Sequence, residues 1–231
     1  MIKAKRDAFN AHHSRYEAWF TRHEAAYHGE LLAIRALLPW QGLGLEIGVG
    51  SGRFAGPLGV RVGVDPSSEM LNYAAERGIL SVEGIAELLP FRSTVFDYAL
   101  VVTTICFVDD PKAMLTEARR VLKPEAVLVI GFVDRASPLG EHYLRHQLEN
   151  VFYRDARFFS ASEVAELLRD AGFDKQIWGQ TLSKPLNEIQ EIEPIREGHG
   201  NGGFVVVSAT QGRACRRQDA PEQRIADLVG L

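Results

Sequence analysis

Between Leu45 and Gly52 the chain reads Leu-Glu-Ile-Gly-Val-Gly-Ser-Gly. Gly48, Gly50 and Gly52 stand on alternate positions, with an acid at Glu46. A glycine turn between a strand and a helix lets the main chain approach a nucleotide-like ligand closely. A dinucleotide fingerprint needs its third glycine three residues after the second, and that position here is Arg53. By itself the triplet reads equally as a plain tight turn. Asp65 ends the next apolar run, 17 residues after Gly48. A carboxylate there is placed to accept both hydroxyls of a ribose lying across strand ends, or else to cap a helix. Gly84–Phe91 lies just past a third run, where an adenine edge would sit.

These residues need elements to hold them. Residues 5–38 are expected to be helical, because Tyr16, Trp19, Phe20, His23, Ala26, Tyr27, Leu31, Ile34 and Leu38 recur at three- and four-residue steps. Pro39 stops that pattern. Seven short apolar runs follow, at Leu43–Ile47, Arg61–Val64, Leu80–Glu83, Tyr98–Val102, Val127–Val133, Phe173–Gly179 and Gly203–Ala209. Helices alternate with them: one capped by Ser67 or Ser68 and stopped at Gly78, one over Pro111–Leu122, and one opened by a Ser160–Glu163 capping box and ended at Gly172. Such alternation implies an α/β protein whose strands are mostly parallel and covered on both faces. The domain organisation is read as a helical cap over residues 1–40, a main domain over 41–210 with an insertion near 135–158, and a polar tail over 211–231.

The motifs together resemble a known family. Glu46–Gly52, Gly63-Val64-Asp65-Pro66-Ser67 with Met70-Leu71, Ala86-Glu87-Leu88-Leu89-Pro90-Phe91, Phe96-Asp97-Tyr98 and Arg120-Val121-Leu122-Lys123-Pro124 look like the ordered motifs of class I S-adenosylmethionine-dependent methyltransferases. The ubiquinone-biosynthesis type of domain is closest, and the resemblance covers roughly residues 43–133. Phe9 to Phe20, Phe152 to Phe173 and Glu193 to Val207 are similar to a small set of uncharacterised prokaryotic methyltransferases, some of them labelled small-amine N-methyltransferases. The resemblance implies a doubly wound, seven-stranded Rossmann-like sheet with an antiparallel last strand, and S-adenosylmethionine as cofactor with S-adenosylhomocysteine as product. Carried over by position, Gly48, Gly50 and Gly52 pass beside the methionine part, and Glu46 steadies that loop by accepting backbone N–H bonds. Asp65 holds the ribose, Pro66 lies against the adenine, the Ala86 backbone meets the ring edge, and the carbonyl near Thr103 meets the amino group. One departure stands out: many relatives carry Asp before the Ala-Glu pair, and this chain has Ile85, leaving the backbone and Glu87 as substitutes.

Methyl transfer is an in-line displacement that chiefly needs alignment at ~3–3.5 Å and removal of water. A base is required only when the acceptor atom must lose a proton. Thr103–Asp110 lacks the Asn-Pro-Pro-aromatic and Pro-Cys signatures of nucleic-acid methylation. Tyr16, His142 and Tyr143 are the candidate catalytic groups. His142 and His146 stand four apart without a third ligand at suitable spacing, so no metal is expected. Cys106 reads as a buried packing thiol rather than a nucleophile, and His12 and His13 as surface or interface residues. Tyr16, Trp19, Phe20, Tyr143, Phe152, Tyr153, Phe158 and Phe159 form core for a helical cap or, in part, line a pocket favouring an amine or aromatic acceptor. Gly198–Gly203 is a closing loop or an ordinary hairpin turn.

Composition bounds the remaining choices. Hydrophobic residues make up 46% and charged residues 24% of 231, with a net charge of −4, as in a globular chain with no phosphate-tracking surface. Arg213, Arg216 and Arg217 read as a solvated tail. No apolar run reaches the ~20 residues of a membrane span, and no signal peptide follows the N-terminal charges. Two cysteines, Cys106 and Cys215, suit a reducing cytoplasm. The expected protein is therefore a cytoplasmic methyltransferase, monomer or homodimer, acting on a small-molecule acceptor with an amine as candidate, and with no nucleic acid or membrane as partner. The alternatives are a non-catalytic S-adenosylmethionine-binding sensor or scaffold and an NAD-linked oxidoreductase, the latter opposed by Arg53.

Overall fold

A computed structural model of the chain describes residues 2–211, with side chains from Arg6 onward. The polar segment from 212, with Arg213, Cys215, Arg216 and Arg217, lies outside the described residues. Strands β1 (Gly44–Ile47), β2 (Val62–Asp65), β3 (Leu80–Glu83), β4 (Phe96–Val102) and β5 (Leu122–Val133) run parallel in the order β3-β2-β1-β4-β5. The sheet continues β8-β6-β7, with β6 at Phe173–Thr181, β7 at Arg196–Glu197 and β8 at Phe204–Gln211. β8 is antiparallel to both its neighbours, β5 and β6. The count is eight strands rather than the seven apolar runs, because β7 is a two-residue, exposed edge pair too short and polar to form a run.

Helices α1 (Ile2–Arg22), α2 (Glu24–Leu37), α3 (Ala55–Leu58), α4 (Ser68–Glu76), α5 (Pro111–Val121), α6 (Pro138–Arg145) and α7 (Ala161–Asp170) complete the chain. Continuous aliphatic strands bury both faces, so two cores form, one per face. One packs Leu45, Ile47, Val101 and Val207 under α5 and α7. The other packs Leu100, Val102, Phe204 and Val206 under α2, α3 and α4.

The local signals explain the helix ends. Ser67 accepts from Met70 N–H, Asp110 caps α5 beside Pro111, and the Ser160–Glu163 capping box closes in both directions. The single helix expected over 5–38 is two: the chain turns at His23, and α1 carries a further kink at His12. The turn has a packing cause. α1 crosses α4, whereas α2 lies on β5, β6 and β8.

The parallel strands place Gly48, Asp65 and Thr103 side by side at their carboxyl ends. β1 and β4 diverge there, and a crevice outside the sheet is the geometric result.

Candidate active site

A cavity of about 290 Å³ opens at that crevice. Its floor is the glycine loop. All three alternate glycines have positive φ, 74°, 51° and 79°, which L side chains adopt at a cost. A Cβ on Gly48 would lie 2.2 Å from Thr104 Oγ1, so only glycine lets β4 approach. A Cβ on Gly50 would instead point into the cavity, 3.6 Å from the Tyr16 hydroxyl. Gly48 and Gly50 line the cavity; Gly52 packs behind it against Ile79 and Ala74.

Two carboxylates flank this loop. Glu46 is 1% exposed, faces the Ala55 N–H, and leaves Oε2 without a partner. Burial pushes it well above the usual carboxylate range, with the Asp65 charge adding to the shift. Asp65 Oδ2 accepts from Gly50 N–H and Oδ1 from Ser67 N–H, each at 2.9 Å. Burial outweighs these two donors and raises its carboxyl to about 6. A carboxylate has about four lone-pair sites, so Asp65 retains acceptor capacity toward the cavity it lines.

The far wall holds Pro66, Gly84, Ile85, Ala86 and Glu87. Ile85 presents an apolar side chain to the cavity, and its carbonyl accepts from Leu88 N–H. Glu87 Oε1 is taken by Asp109 N–H at 2.7 Å, bracing the loop after β4. Thr103 lines the cavity with a positive φ of 49°, and its carbonyl accepts from Cys106 Sγ at 3.1 Å. The sequence-selected residues Gly48, Gly50, Asp65, Pro66, Ala86, Glu87 and Thr103 thus share one cavity, while Glu46 and Gly52 support its floor from outside the lining.

α1 roofs the cavity. Glu17 accepts from Arg53 at 2.6 Å and from Arg77 at 2.7 Å, and Arg77 also donates to the Ser51 carbonyl. One carboxylate thereby ties the helix to the glycine-loop segment and to α4. The Tyr27 hydroxyl of α2 donates to the Arg53 carbonyl.

Above the loop the walls become aromatic. Phe9 meets Tyr16, Phe107 and Phe152 with ring centroids 5.1–5.7 Å apart. Tyr143 packs on Tyr153 at 5.0 Å and stacks on Phe158. Burial raises the phenols of Tyr16, Tyr143 and Tyr153 far above their usual range, so all three stay protonated. His142 does not join them: it is exposed, outside the lining, and packs on His146. An α6 beginning at Pro138 turns Tyr143 inward and therefore its neighbour outward. His146 turns to Glu149 instead of to a metal site, and no group of three potential metal ligands occurs among the described residues. Phe158 and Phe159 are core. The 198–203 loop lies outside the cavity lining, with His199 against Trp178.

One lining residue lacks a place in the motifs. Glu30 of α2 is 5% exposed, reaches the cavity, and is raised by burial to about 8. Its signal was a carboxylate three residues after Tyr27 and four before Ile34, on an otherwise apolar helix stripe.

Comparison with known proteins fixes the family. Residues 45–130 match a methyltransferase domain model. A crystal structure of a Thermotoga maritima SAM-dependent methyltransferase, described as a possible histamine N-methyltransferase, is 49% identical and covers 90% of this chain and 99% of its own, with a TM-score of 0.87. An uncharacterized Methanocaldococcus jannaschii protein is 41% identical over 88% of this chain and 98% of its own length. A ubiquinone biosynthesis O-methyltransferase of Cereibacter sphaeroides is 29% identical over 61% of this chain and 64% of its own. No helix among the described residues is long and apolar enough to cross a membrane. Shared sequence, shared sheet order and the crevice at its strand ends lead to one assignment: the chain belongs to the class I S-adenosylmethionine-dependent methyltransferases and takes its methyl group from that donor.

Proposed function

We propose that this methyltransferase acts on a small amine. The observation that carries the reading is the aromatic chamber built directly onto the glycine loop, with the Tyr16 hydroxyl 3.6 Å from where a Gly50 side chain would begin. Ring faces attract cations, and Asp65, ionised near neutrality, adds a negative charge within range of Tyr16. Such surroundings suit a positively charged acceptor better than an anionic one. The Thermotoga relative's description as a possible histamine N-methyltransferase points the same way.

The residues fit the donor. Unpartnered Glu46 Oε2 supplies acceptor capacity behind the glycine loop. Gly48 and Gly50 leave room for the methionine part, Asp65 accepts from the ribose hydroxyls, and Pro66, Ile85 and the Ala86 backbone bound the adenine. Ile85 takes the adenine by apolar contact where many relatives use a carboxylate. Residues 1–40 act as a cap that excludes water from this junction. When bound, the donor supplies an electrophilic methyl carbon: the acceptor's lone pair forms the new bond as the carbon–sulfur bond breaks and its electrons stay on sulfur. Tyr16 and Tyr143 keep their protons and orient the acceptor by hydrogen bonds.

Labelled-donor turnover across matched amines, thiols, phenols and carboxylic acids tests the reading. Amines are expected to be methylated with the highest kcat/KM. Turnover confined to a phenol, thiol or acid would refute it.

A further inference from the structure

Glu30 projects from the middle of α2 into the cavity, and among the described residues no hydrogen bond or ion pair reaches it. The other acids lining the cavity, Asp65 and Glu87, are engaged, as is Glu17 beside it. Glu17 is held by Arg53 and Arg77, Asp65 by two backbone N–H groups, and Glu87 by Asp109 N–H. Glu30 lies within electrostatic range of Tyr16 from α1, Tyr143 from α6, Tyr153 from the loop beyond it and Tyr27 on α2 itself. Arg15 and Arg22 reach the cavity from α1 without pairing with it. A buried carboxyl that shares a cavity with three tyrosines and has no cation of its own is a site that a ligand's cation completes.

Building on the amine reading, we propose that Glu30 receives the acceptor's ammonium group and takes its proton. The nitrogen–hydrogen bond breaks, its electron pair stays on nitrogen, and the proton forms an O–H bond with the Glu30 carboxylate. The freed lone pair is then available to the methyl carbon. The product leaves as an ammonium, and Glu30 returns its proton to solvent. Alcohols offer Glu30 neither a cation nor an ammonium proton to take. Burial lifts the Glu30 carboxyl to about 8, a value matched to exchanging a proton near neutrality. Tyr16, Tyr143 and Tyr153 are held protonated and cannot substitute.

The test uses the full chain saturated with S-adenosylhomocysteine and titrated calorimetrically with histamine, 2-phenylethylamine and 2-phenylethanol. Both amines are expected to bind and the alcohol to bind far more weakly. Glu30→Gln is expected to weaken amine binding roughly 30-fold or more while S-adenosylhomocysteine affinity stays within about twofold. Wild-type kcat/KM for the amine is expected to fall on the acid side through one ionisation, a limb that Glu30→Gln lacks. If Glu30→Gln binds S-adenosylhomocysteine normally and takes up the amines within about threefold of wild type, Glu30 is not the ammonium site and the amine reading stands without it. Should that variant fail to bind S-adenosylhomocysteine, Glu30→Asp and the wild-type profile decide. Unchanged amine kcat/KM in Glu30→Asp, or a wild-type profile flat from about pH 6 to 9, overturns the assignment. If the wild type methylates a phenol, thiol or acid and no amine, the function reading fails first.

Discussion

At one end of the cavity the ligand-facing surface is largely main chain, gathered from the carboxyl ends of β1, β2 and β4 within about sixty residues of sequence. At the other end it is side chain, brought from α1, α2, α6 and the 150–153 loop. The first end has its charged groups braced by backbone N–H donors before any ligand arrives; the second holds Glu30 with none. The difference teaches where specificity resides. A main-chain cradle is tied to strand geometry and suits a ligand shared by a whole family, whereas side chains on separate helices can be exchanged one at a time to suit different acceptors.

The most severe way to break the contrast is Gly48→Val. A side chain there meets Thr104 at 2.2 Å on a backbone with φ of 74°. S-adenosylhomocysteine affinity in calorimetry should fall roughly 100-fold or more. Asp65→Ala comes next. It should weaken the same affinity by ~1.5–3 kcal/mol and leave the ranking of acceptors unchanged. An unaltered affinity removes the ribose assignment. The wild-type protein offers the milder version: a carboxyl at about 6 is ionised at pH 7 and mostly protonated at pH 5, so donor-site affinity should drop about tenfold between them.

Glu30→Gln sharpens the contrast through stability. Its folded-state value of about 8 lies above the 4.5 of an ordinary glutamate, so the native state holds this proton more tightly than the unfolded chain. That contribution is whole below about pH 4.5 and is lost as pH rises toward 8. The variant, lacking the group, should therefore gain on wild type across that window, by on the order of 3 kcal/mol, or about 5–10 °C in Tm, at pH 8. An equal Tm difference at pH 5 and pH 8 would show that Glu30 is not buried uncharged.

The same division decided what could be read from sequence. The cradle is drawn from a short stretch of chain, so its glycines and Asp65 carry local signatures, and the helix starts at Ser67, Pro111 and Ser160 fall where their caps predict. The break at His23 left no such mark, because His23 N–H still bonds the Trp19 carbonyl and Tyr27 N–H the His23 carbonyl, and the apolar stripe runs through. Tyr143 and His142 are adjacent, and only the register of α6 decides which one faces inward. Glu30 was visible as an acid on an apolar stripe, yet a helical Glu is ordinarily solvated, and its burial depends on tertiary packing that no local pattern marks.

The antiparallel placement of β8 has a consequence for how the molecule assembles. Residues 204–211 sit between β5 and β6, so the sheet's two portions share no edge until this segment arrives. Phe204 then seats on Gly131, and Val205, Val206 and Val207 plug both cores at once. A chain ended at Gly203 would leave the β5 and β6 portions of the sheet unjoined and both cores open, so this one segment carries far more than a strand's share of the fold.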